Sequence, residues 1–311
     1  MRQTPFGEMS VFDGHTHFFD LSFYENLGRM KGIDASATEI AERLGWDEAP
    51  KNSADVAARW VQEMDEKGVD RMVSMHTIPS NIFQAAEGIH SAAGRLTGYA
   101  AMTPNMEDAP NLLDRLVTEF GFVGLALFPS VFRFTLHDEA TLNLLDVAHQ
   151  HRLNIFVHCG VIKIGFRTKL GMPNVFDCTM TPLEMQSICA ACPNANFVFP
   201  HMGSGYFREL LMLADMVPNV FTDTSGMGGW GKYLAGNPPP HEVLKQAVEV
   251  LGAERILFGS DSSFFPRGWR EDVFDAHLDV FQKAGLSEEQ VVRILGRNLE
   301  RMLLGEDGTG A

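Results

Sequence analysis

The strongest constraint on the fold is an alternation of short apolar runs with longer amphipathic stretches along the chain. The short runs are rich in β-branched and aromatic residues and predict strands at Val11–Phe18, Arg71–Thr77, Leu96–Met102, Gly124–Pro129, Asn154–Gly160, Asn196–Gly203, Val220–Ser225 and Ile256–Ser260. The stretches around them carry apolar residues at helical spacing and predict helices at Ser53–Lys67, Ala109–Phe120, Asp138–Arg152, Pro182–Cys192, Tyr206–Val217, His241–Leu251, Glu271–Ala284 and Glu288–Leu304. Ser53 is the expected N-cap of the first of these helices.

Strands that alternate with helices pair in parallel through helical crossovers. Eight such units in 311 residues predict an α/β fold, a distorted (β/α)₈ TIM barrel with long loops at its C-terminal face. A doubly wound sheet is the alternative, but it calls for a phosphate-binding loop after the first strand, where this chain has histidines. No repeat or linker divides the chain, so residues 1–311 are expected to form one domain, with a frayed tail from Gly305.

Charge and composition exclude several classes of function. The chain has 25 basic and 40 acidic residues, a formal net charge of −15 that disfavours binding to nucleic acids. It contains no apolar run of about 18 residues, so no membrane span is expected. Residues 1–10 lack an apolar signal core, and four cysteines are too few for a disulfide framework. We therefore expect a cytoplasmic protein.

Histidines and an aspartate stand where the predicted strands end, which is where TIM barrels place their active sites. His15 and His17 are two residues apart on the first strand, so both side chains point the same way. His158, His201 and Asp261 follow the fifth, sixth and eighth strands. Imidazole and carboxylate groups that converge in this way predict a metal site.

The same residues carry a family resemblance. The chain resembles the amidohydrolase superfamily, and within it the amidohydrolase-related branch that includes aminocarboxymuconate-semialdehyde decarboxylase. The matching segments are Asp13-Gly14-His15-Thr16-His17, Val157-His158-Cys159, Pro200-His201-Met202-Gly203, Ile256-Leu257-Phe258-Gly259-Ser260-Asp261 and Asn298-Leu299-Glu300-Arg301-Met302-Leu303-Leu304. These segments span nearly the whole chain, and together they are specific for the superfamily rather than for one reaction.

The resemblance implies that one divalent metal is held by His15, His17, His158 and Asp261, with His201 as a weak ligand or a neighbouring catalytic group. Binuclear members carry a carboxylated lysine after strand four, and the segment at 124–129 has no lysine, so a single metal is expected. Zinc is the preferred ion, with manganese and iron as alternatives, because all three accept these ligands. The resemblance also suggests a homodimer.

The predicted reaction is hydrolysis of an ester, lactone or amide by metal-activated water. Asp261 would serve as ligand and general acid–base, and His201 would polarise the substrate carbonyl. Non-oxidative decarboxylation of an aromatic or muconate-like acid is the first alternative. It is disfavoured because related decarboxylases follow this aspartate with an aromatic residue and proline, whereas Asp261 is followed by Ser262-Ser263. A non-catalytic metabolite-binding barrel with a structural metal is the second alternative.

Long loops after the strands are expected to select a small-molecule substrate. The segment 19–52 follows the first strand, carries a short helix near Ala37–Leu44 and could form a lid. Basic side chains near the mouth of an acidic protein predict an anionic substrate. The expected substrate-binding residues are Arg133, Lys163, Arg167, Trp230, Arg267 and His76, and further aromatic walls are expected from Phe132, Phe166 and Trp269.

Overall fold

The computed structural model describes residues 1–77 and 81–304, so the expected frayed tail from Gly305 lies outside the described residues. A short antiparallel hairpin of β1 (Arg2–Thr4) and β2 (Gly7–Met9) precedes a sheet of eight parallel strands, in which each strand pairs with the next along the chain. These strands are β3 (Phe12–His17), β4 (Arg71–Met75), β5 (Leu96–Met102), β6 (Gly124–Leu127), β7 (Asn154–Val157), β8 (Phe197–Phe199), β9 (Val220–Asp223) and β10 (Ile256–Leu257).

The first and last strands of this sheet meet along an irregular seam, which makes the sheet a nearly closed barrel. Gly14 N donates to Phe258 O at 2.9 Å, and His17 N donates to Ser262 O at 2.8 Å. A side chain at Gly259 would place its Cβ only 2.9 Å from His15 Cβ, so the close approach at the seam requires glycine there. The predicted distorted (β/α)₈ barrel is confirmed.

Helices surround the barrel and also fill two of the loops at its C-terminal face. The helices are α1 (Leu21–Lys31), α2 (Ala37–Leu44), α3 (Ser53–Lys67), α4 (Ile82–Ser91), α5 (Ala109–Phe120), α6 (Pro129–Phe132), α7 (Glu139–Gln150), α8 (Gly165–Lys169), α9 (Gln186–Ala191), α10 (Pro200–Gly203), α11 (Phe207–Met216), α12 (Pro240–Leu251), α13 (Glu271–Ala284), α14 (Glu288–Val292) and α15 (Asn298–Leu304). Short 3₁₀ turns lie at Pro182–Met185, Gly231–Tyr233 and Ala253–Arg255, and a π-helical turn joins α14 to α15 at Arg293–Arg297. Among residues 1–77 and 81–304, no helix has the length and apolar character needed to cross a bilayer.

Capping side chains begin several of the helices, and one expected cap is corrected. Ser53 was expected to cap α3, but Asn52 does so by accepting from Asp55 N at 2.8 Å. Ser53 is instead the first helical residue, and its hydroxyl donates to Asp20 at 2.9 Å. The predicted short helix near Ala37–Leu44 is present, and Ser36 begins it with a capping box. Helices α1 and α4 and the hairpin were not expected from the sequence.

The core has two layers and an extension over the barrel mouth. Side chains such as Val73, Tyr99 and Phe156 fill the barrel interior, where Leu299 and Met302 of α15 join them. A larger layer lies between the strands and the outer helices. The extension, here called the aromatic cap, joins α1, α2 and α8, and its members include Phe19, Phe23, Tyr24, Leu27, Ile40, Leu44, Trp46, Leu170 and Met172, with Phe166 and Phe264 packed against them.

Candidate metal centre

A cavity of about 450 Å³ opens at the carboxyl ends of the barrel strands. His15, His17, His158, His201 and Asp261 all line it. The strands that carry them are far apart in sequence, and only closure of the barrel brings them together. The structure therefore places all five predicted metal and catalytic residues around one cavity.

Three atoms that could bind a metal converge at the seam of the barrel. Asp261 Oδ1 lies 3.1 Å from His17 Nε2 and 3.8 Å from His15 Nε2. Asp261 reaches this position with a left-handed backbone, φ 56°, and its N–H donates to His15 O at 2.9 Å. Burial raises the pKa of Asp261, but the hydrogen bond and charges of the neighbouring histidines outweigh that effect and hold it well below its usual range. Asp261 is therefore an ionised carboxylate beside two imidazoles.

His158 and His201 complete the ring of imidazoles. The His201 ring centroid lies 4.9 Å from that of His158 and 4.9 Å from that of His15. His201 sits in α10 with a left-handed φ of 57°, and a Cβ on Gly226 would approach its Nδ1 to 3.1 Å. Burial lowers the pKa of both His158 and His201, so both rings are neutral at pH 7.

The donor set fits a divalent cation. His17 Nδ1 lies 2.6 Å from Thr77 Oγ1, which can accept an Nδ1–H. The tautomer with hydrogen on Nδ1 has a lone pair on Nε2, which lies 3.1 Å from Asp261 Oδ1. Two acceptor atoms 3.1 Å apart repel unless a cation or proton lies between them. His15 Nε2 is buried, and none of the described residues is a hydrogen-bond partner for it. Nitrogen and carboxylate donors in this arrangement are the ligands that zinc and manganese accept.

Two residues that hold these ligands, Asp223 and Ser225, were not expected from the sequence. Asp223 Oδ2 lies 2.8 Å from His15 Nδ1, and Ser225 Oγ lies 2.8 Å from His201 Nδ1. Although burial raises the pKa of Asp223, the charge of His15 and the hydrogen bonds lower it to about 2. The Asp223-Thr224-Ser225 segment ends the seventh barrel strand, so the strand-end rule that found the histidines could have found it too.

A second buried carboxylate, that of Asp13, links the two sides of the seam. Asp13 accepts from His15 N at 3.0 Å, Ser260 N at 3.1 Å and Trp269 Nε1 at 2.8 Å. Burial outweighs these hydrogen bonds and raises the pKa of Asp13 to about 6. Trp269 was expected to form a wall of the cavity, but it is buried beneath the seam and supports Asp13 instead.

The predicted substrate residues divide into two groups. Lys163, Trp230 and Arg267 line the cavity, and so does Lys232, which sequence analysis overlooked. Arg267 is held in place because its guanidinium donates to Ser263 Oγ at 2.7 Å and to Asp261 O at 3.2 Å. The cavity therefore carries three cationic side chains.

Arg133, Arg167 and His76 are not among the residues that line the cavity. The Arg167 guanidinium turns to its own loop, where Nε donates to Pro173 O at 2.9 Å. His76 is buried with its ring 5.6 Å from that of Phe122, and burial lowers its pKa to about 4. Arg133 is exposed and follows α6 in a left-handed conformation, φ 54°.

Aromatic side chains form much of the remaining wall. The predicted Phe132 and Phe166 line the cavity, together with Phe19, Trp46 and Phe264 of the aromatic cap. Trp46 stacks on Phe264 with ring centroids 4.1 Å apart. The cavity is therefore suited to a planar ligand that carries negative charge.

Comparison with known proteins identifies the family. The model of the amidohydrolase family matches residues 12–304. The chain belongs to the amidohydrolase family. Protein fluG of Emericella nidulans is 26% identical in an alignment 327 positions long, which covers 95% of this chain and 34% of that protein. This amidohydrolase chain thus spans about a third of the length of that relative.

Solved structures share the fold at low sequence identity. The 5-carboxyvanillate decarboxylase of Novosphingobium aromaticivorans, complexed with manganese and 4-hydroxy-3-methoxy-5-nitrobenzoic acid, is similar with a TM-score of 0.65 and 16% identity. That similarity covers 97% of this chain and 99% of the other. A probable 2-pyrone-4,6-dicarboxylic acid hydrolase of Acinetobacter baumannii has a TM-score of 0.59 and 15% identity over 95% of this chain and 99% of the other. One amidohydrolase fold is therefore found in proteins named for decarboxylation and for hydrolysis.

Proposed function

We propose that this amidohydrolase is a metal-dependent hydrolase that cleaves an ester, lactone or amide of a small, planar, anionic substrate. The observation that carries the proposal is the convergence of Asp261 Oδ1 with His17 Nε2 and His15 Nε2 beside a cavity of about 450 Å³. A cavity of this size suits a substrate of one or two rings.

One divalent metal would be held by His15, His17, His158 and Asp261, with His201 beside them as a further nitrogen donor. Zinc is the preferred ion, and the manganese in the similar 5-carboxyvanillate decarboxylase makes manganese the first alternative. When bound, the ion supplies Lewis acidity, which lowers the pKa of water and polarises a carbonyl group.

Homodimerisation, a single domain and a cytoplasmic location stay predictions from the sequence.

Asp261 is the proposed general acid–base residue. Its side chain is 46% exposed, and it lines the cavity, so a water molecule and a substrate can both reach the carboxylate. Its low pKa keeps it ionised before each turnover. Asp261 accepts the proton of the attacking water and returns it to the departing alcohol or amine, so that the residue is regenerated.

The cavity wall supports an anionic substrate. Lys163, Lys232 and Arg267 line the cavity, and Asp261 is the one acidic residue among the described residues that line it. In a chain of net charge −15, this local excess of positive charge attracts anions to the mouth. We therefore expect a carboxylate group on the substrate, with Arg267 as the strongest candidate for bidentate binding.

The proposal is tested with zinc-loaded and manganese-loaded protein on a panel of carboxylated aromatic esters, lactones and amides. We expect hydrolysis of at least one class, its loss after chelation and its return when metal is added. The matched control is the chelated protein with calcium, which prefers oxygen ligands. Metal-loaded protein that hydrolyses no member of the panel would contradict the proposal.

Decarboxylation is the second candidate, and the aromatic walls with their three cations favour it. Such a cavity can hold a carboxylated ring as well as an ester of one, and the fold is shared with a 5-carboxyvanillate decarboxylase. Release of carbon dioxide from hydroxylated or unsaturated carboxylic acids, without ester or lactone hydrolysis, would favour this candidate. Binding of an aromatic acid without either reaction would favour a non-catalytic barrel with a structural metal.

A further inference from the structure

A buried pair, Asp223 and Ser225, lies beneath two of the proposed ligands and connects them. The Asp223 carboxylate is 0% exposed and faces four donors. Its Oδ2 lies 2.8 Å from His15 Nδ1, while its Oδ1 accepts from His201 N at 3.0 Å and from Ser225 N at 2.9 Å. The Ser225 hydroxyl also donates to Oδ1.

The position of the Ser225 proton decides what else this hydroxyl can do. A serine hydroxyl has one hydrogen to donate and two lone pairs that accept. Because that hydrogen goes to Asp223, the hydroxyl oxygen can only accept from its other neighbours. Those neighbours are His201 Nδ1 at 2.8 Å and His15 Nδ1 at 3.1 Å.

Each of the two histidines therefore has only acceptors around Nδ1. His15 Nδ1 faces the Asp223 carboxylate and the Ser225 hydroxyl oxygen. His201 Nδ1 faces the same hydroxyl oxygen and the Ser225 carbonyl oxygen at 3.0 Å. An imidazole in such surroundings carries a proton on Nδ1 in both its neutral and its cationic form, because an unprotonated Nδ1 would bring two acceptor atoms together. A metal bound at Nε2 requires the neutral form.

We infer that Asp223 is a positioning residue which fixes His15 directly, and His201 through Ser225, with Nδ1 protonated and the Nε2 lone pairs free for the cavity. The inference deepens the proposed function and rests on its metal site. It also changes the role expected for His201 from the sequence. With a lone pair on Nε2, neutral His201 binds the metal or accepts a proton, and it does not donate a hydrogen bond to a substrate oxygen.

The direct test is nitrogen-15 NMR of the histidine side chains in zinc-loaded protein labelled on histidine. Signals of His15 and His201 are assigned by loss in His15→Gln and His201→Gln variants. We expect both residues to carry hydrogen on Nδ1 and none on Nε2. A wild-type His201 with its hydrogen on Nε2 would overturn the inference, whatever the metal content of the protein.

Variants test the connection without reference to turnover. Asp223→Asn replaces an acceptor for His15 and Ser225, so the affinity for zinc, measured by competition with a chromophoric chelator, is expected to fall by about 10- to 100-fold. Ser225→Ala should shift the His201 signals more than those of His15, which keeps Asp223 Oδ2 at 2.8 Å, and Ser225→Thr should restore them. The matched control is Thr222→Val, which removes a buried hydroxyl of the same strand that donates to Phe199 O.

The outcomes separate this inference from the proposed function. Wild-type protein that binds no zinc or manganese would contradict the metal site, and the NMR signals of the metal-free protein would still report the tautomer of His201. Unchanged zinc affinity in Asp223→Asn, with both histidine signals also unchanged, would overturn the positioning role. If Asp223→Asn does not fold, the Ser225→Ala and Ser225→Thr variants still test whether Ser225 fixes the tautomer of His201.

Discussion

Asp261 Oδ1 lies 3.1 Å from His17 Nε2 across the seam where the last strand of the barrel meets the first. The seam is irregular, since β10 has two residues and the segment after it meets β3 through an isolated bridge between Thr16 and Ser262. A metal bound by both His17 and Asp261 would link these strands. The proposed site and the closure of the barrel are therefore one structural feature.

Removal of the metal is expected to destabilise the fold for this reason. A ligand that binds only the folded state at about 1,000 times its dissociation constant adds about 4 kcal/mol to the free energy of unfolding. We predict that chelation lowers the melting temperature by about 5 °C or more, as measured by scanning calorimetry. The His15→Ala/His17→Ala double variant is the control, and an equal effect of chelator on it would refute the link.

Asp261→Asn should separate binding of the metal from turnover. The amide keeps an oxygen near His17 but cannot take up and return a proton at neutral pH. We predict a loss in kcat of about 10² to 10⁴, the usual contribution of general acid–base catalysis, with metal still detectable by elemental analysis. The exposed Asp279→Asn serves as control. Full activity in Asp261→Asn would exclude the acid–base role.

How much of this site follows from sequence can be judged from particular residues. His15, His17, His158, His201 and Asp261 were identified because strand alternation predicts the barrel and the barrel predicts where strand ends meet. Asp223 and Ser225 also end a strand, but their role depends on which nitrogen of which histidine they face. Asp223 and Ser225 lie 208 and 210 positions after His15 in the chain, and no spacing rule predicts contacts at such separations.

The loops were the least predictable part. Lys163 and Arg167 lie four residues apart in one loop, yet one lines the cavity and the other donates to Pro173 O. Neither composition nor periodicity distinguishes them, because the path of the loop decides where each side chain goes. The same holds for Trp269, whose indole N–H is satisfied by buried Asp13 rather than placed in the cavity.

The cationic wall makes a prediction about substrate affinity. Lys232→Met removes a positive charge from the cavity while keeping most of the side-chain volume, so KM for an anionic substrate should rise about tenfold, or ~1.4 kcal/mol. The effect should shrink at high salt, because screening weakens exposed charges. Lys245→Met on α12 is the matched exposed control. A KM that is unchanged at low salt would remove Lys232 from the substrate site.

A buried histidine outside the metal centre contributes to the dependence of stability on pH. His277 on α13 is 5% exposed, and burial lowers its pKa from 6.5 to about 4. Between these values the unfolded chain binds a proton that the folded protein does not, so acidification favours unfolding. The free energy of unfolding should fall as the pH drops from 6.5 towards 4, by about 3 kcal/mol for this residue, and the loss should level off below pH 4.

His277→Gln isolates this contribution. Glutamine keeps a side-chain donor that can serve the backbone hydrogen bond to Thr224 but does not titrate. In denaturant unfolding from pH 7 to 4, the free energy of unfolding should decline less steeply for this variant than for the wild type. The difference in slope at any pH corresponds to at most one proton taken up on unfolding. His149→Gln provides a comparison because it replaces an exposed histidine. Parallel curves for wild type and His277→Gln would show that His277 takes up its proton as readily in the folded protein as in the unfolded chain, contrary to the burial that surrounds it.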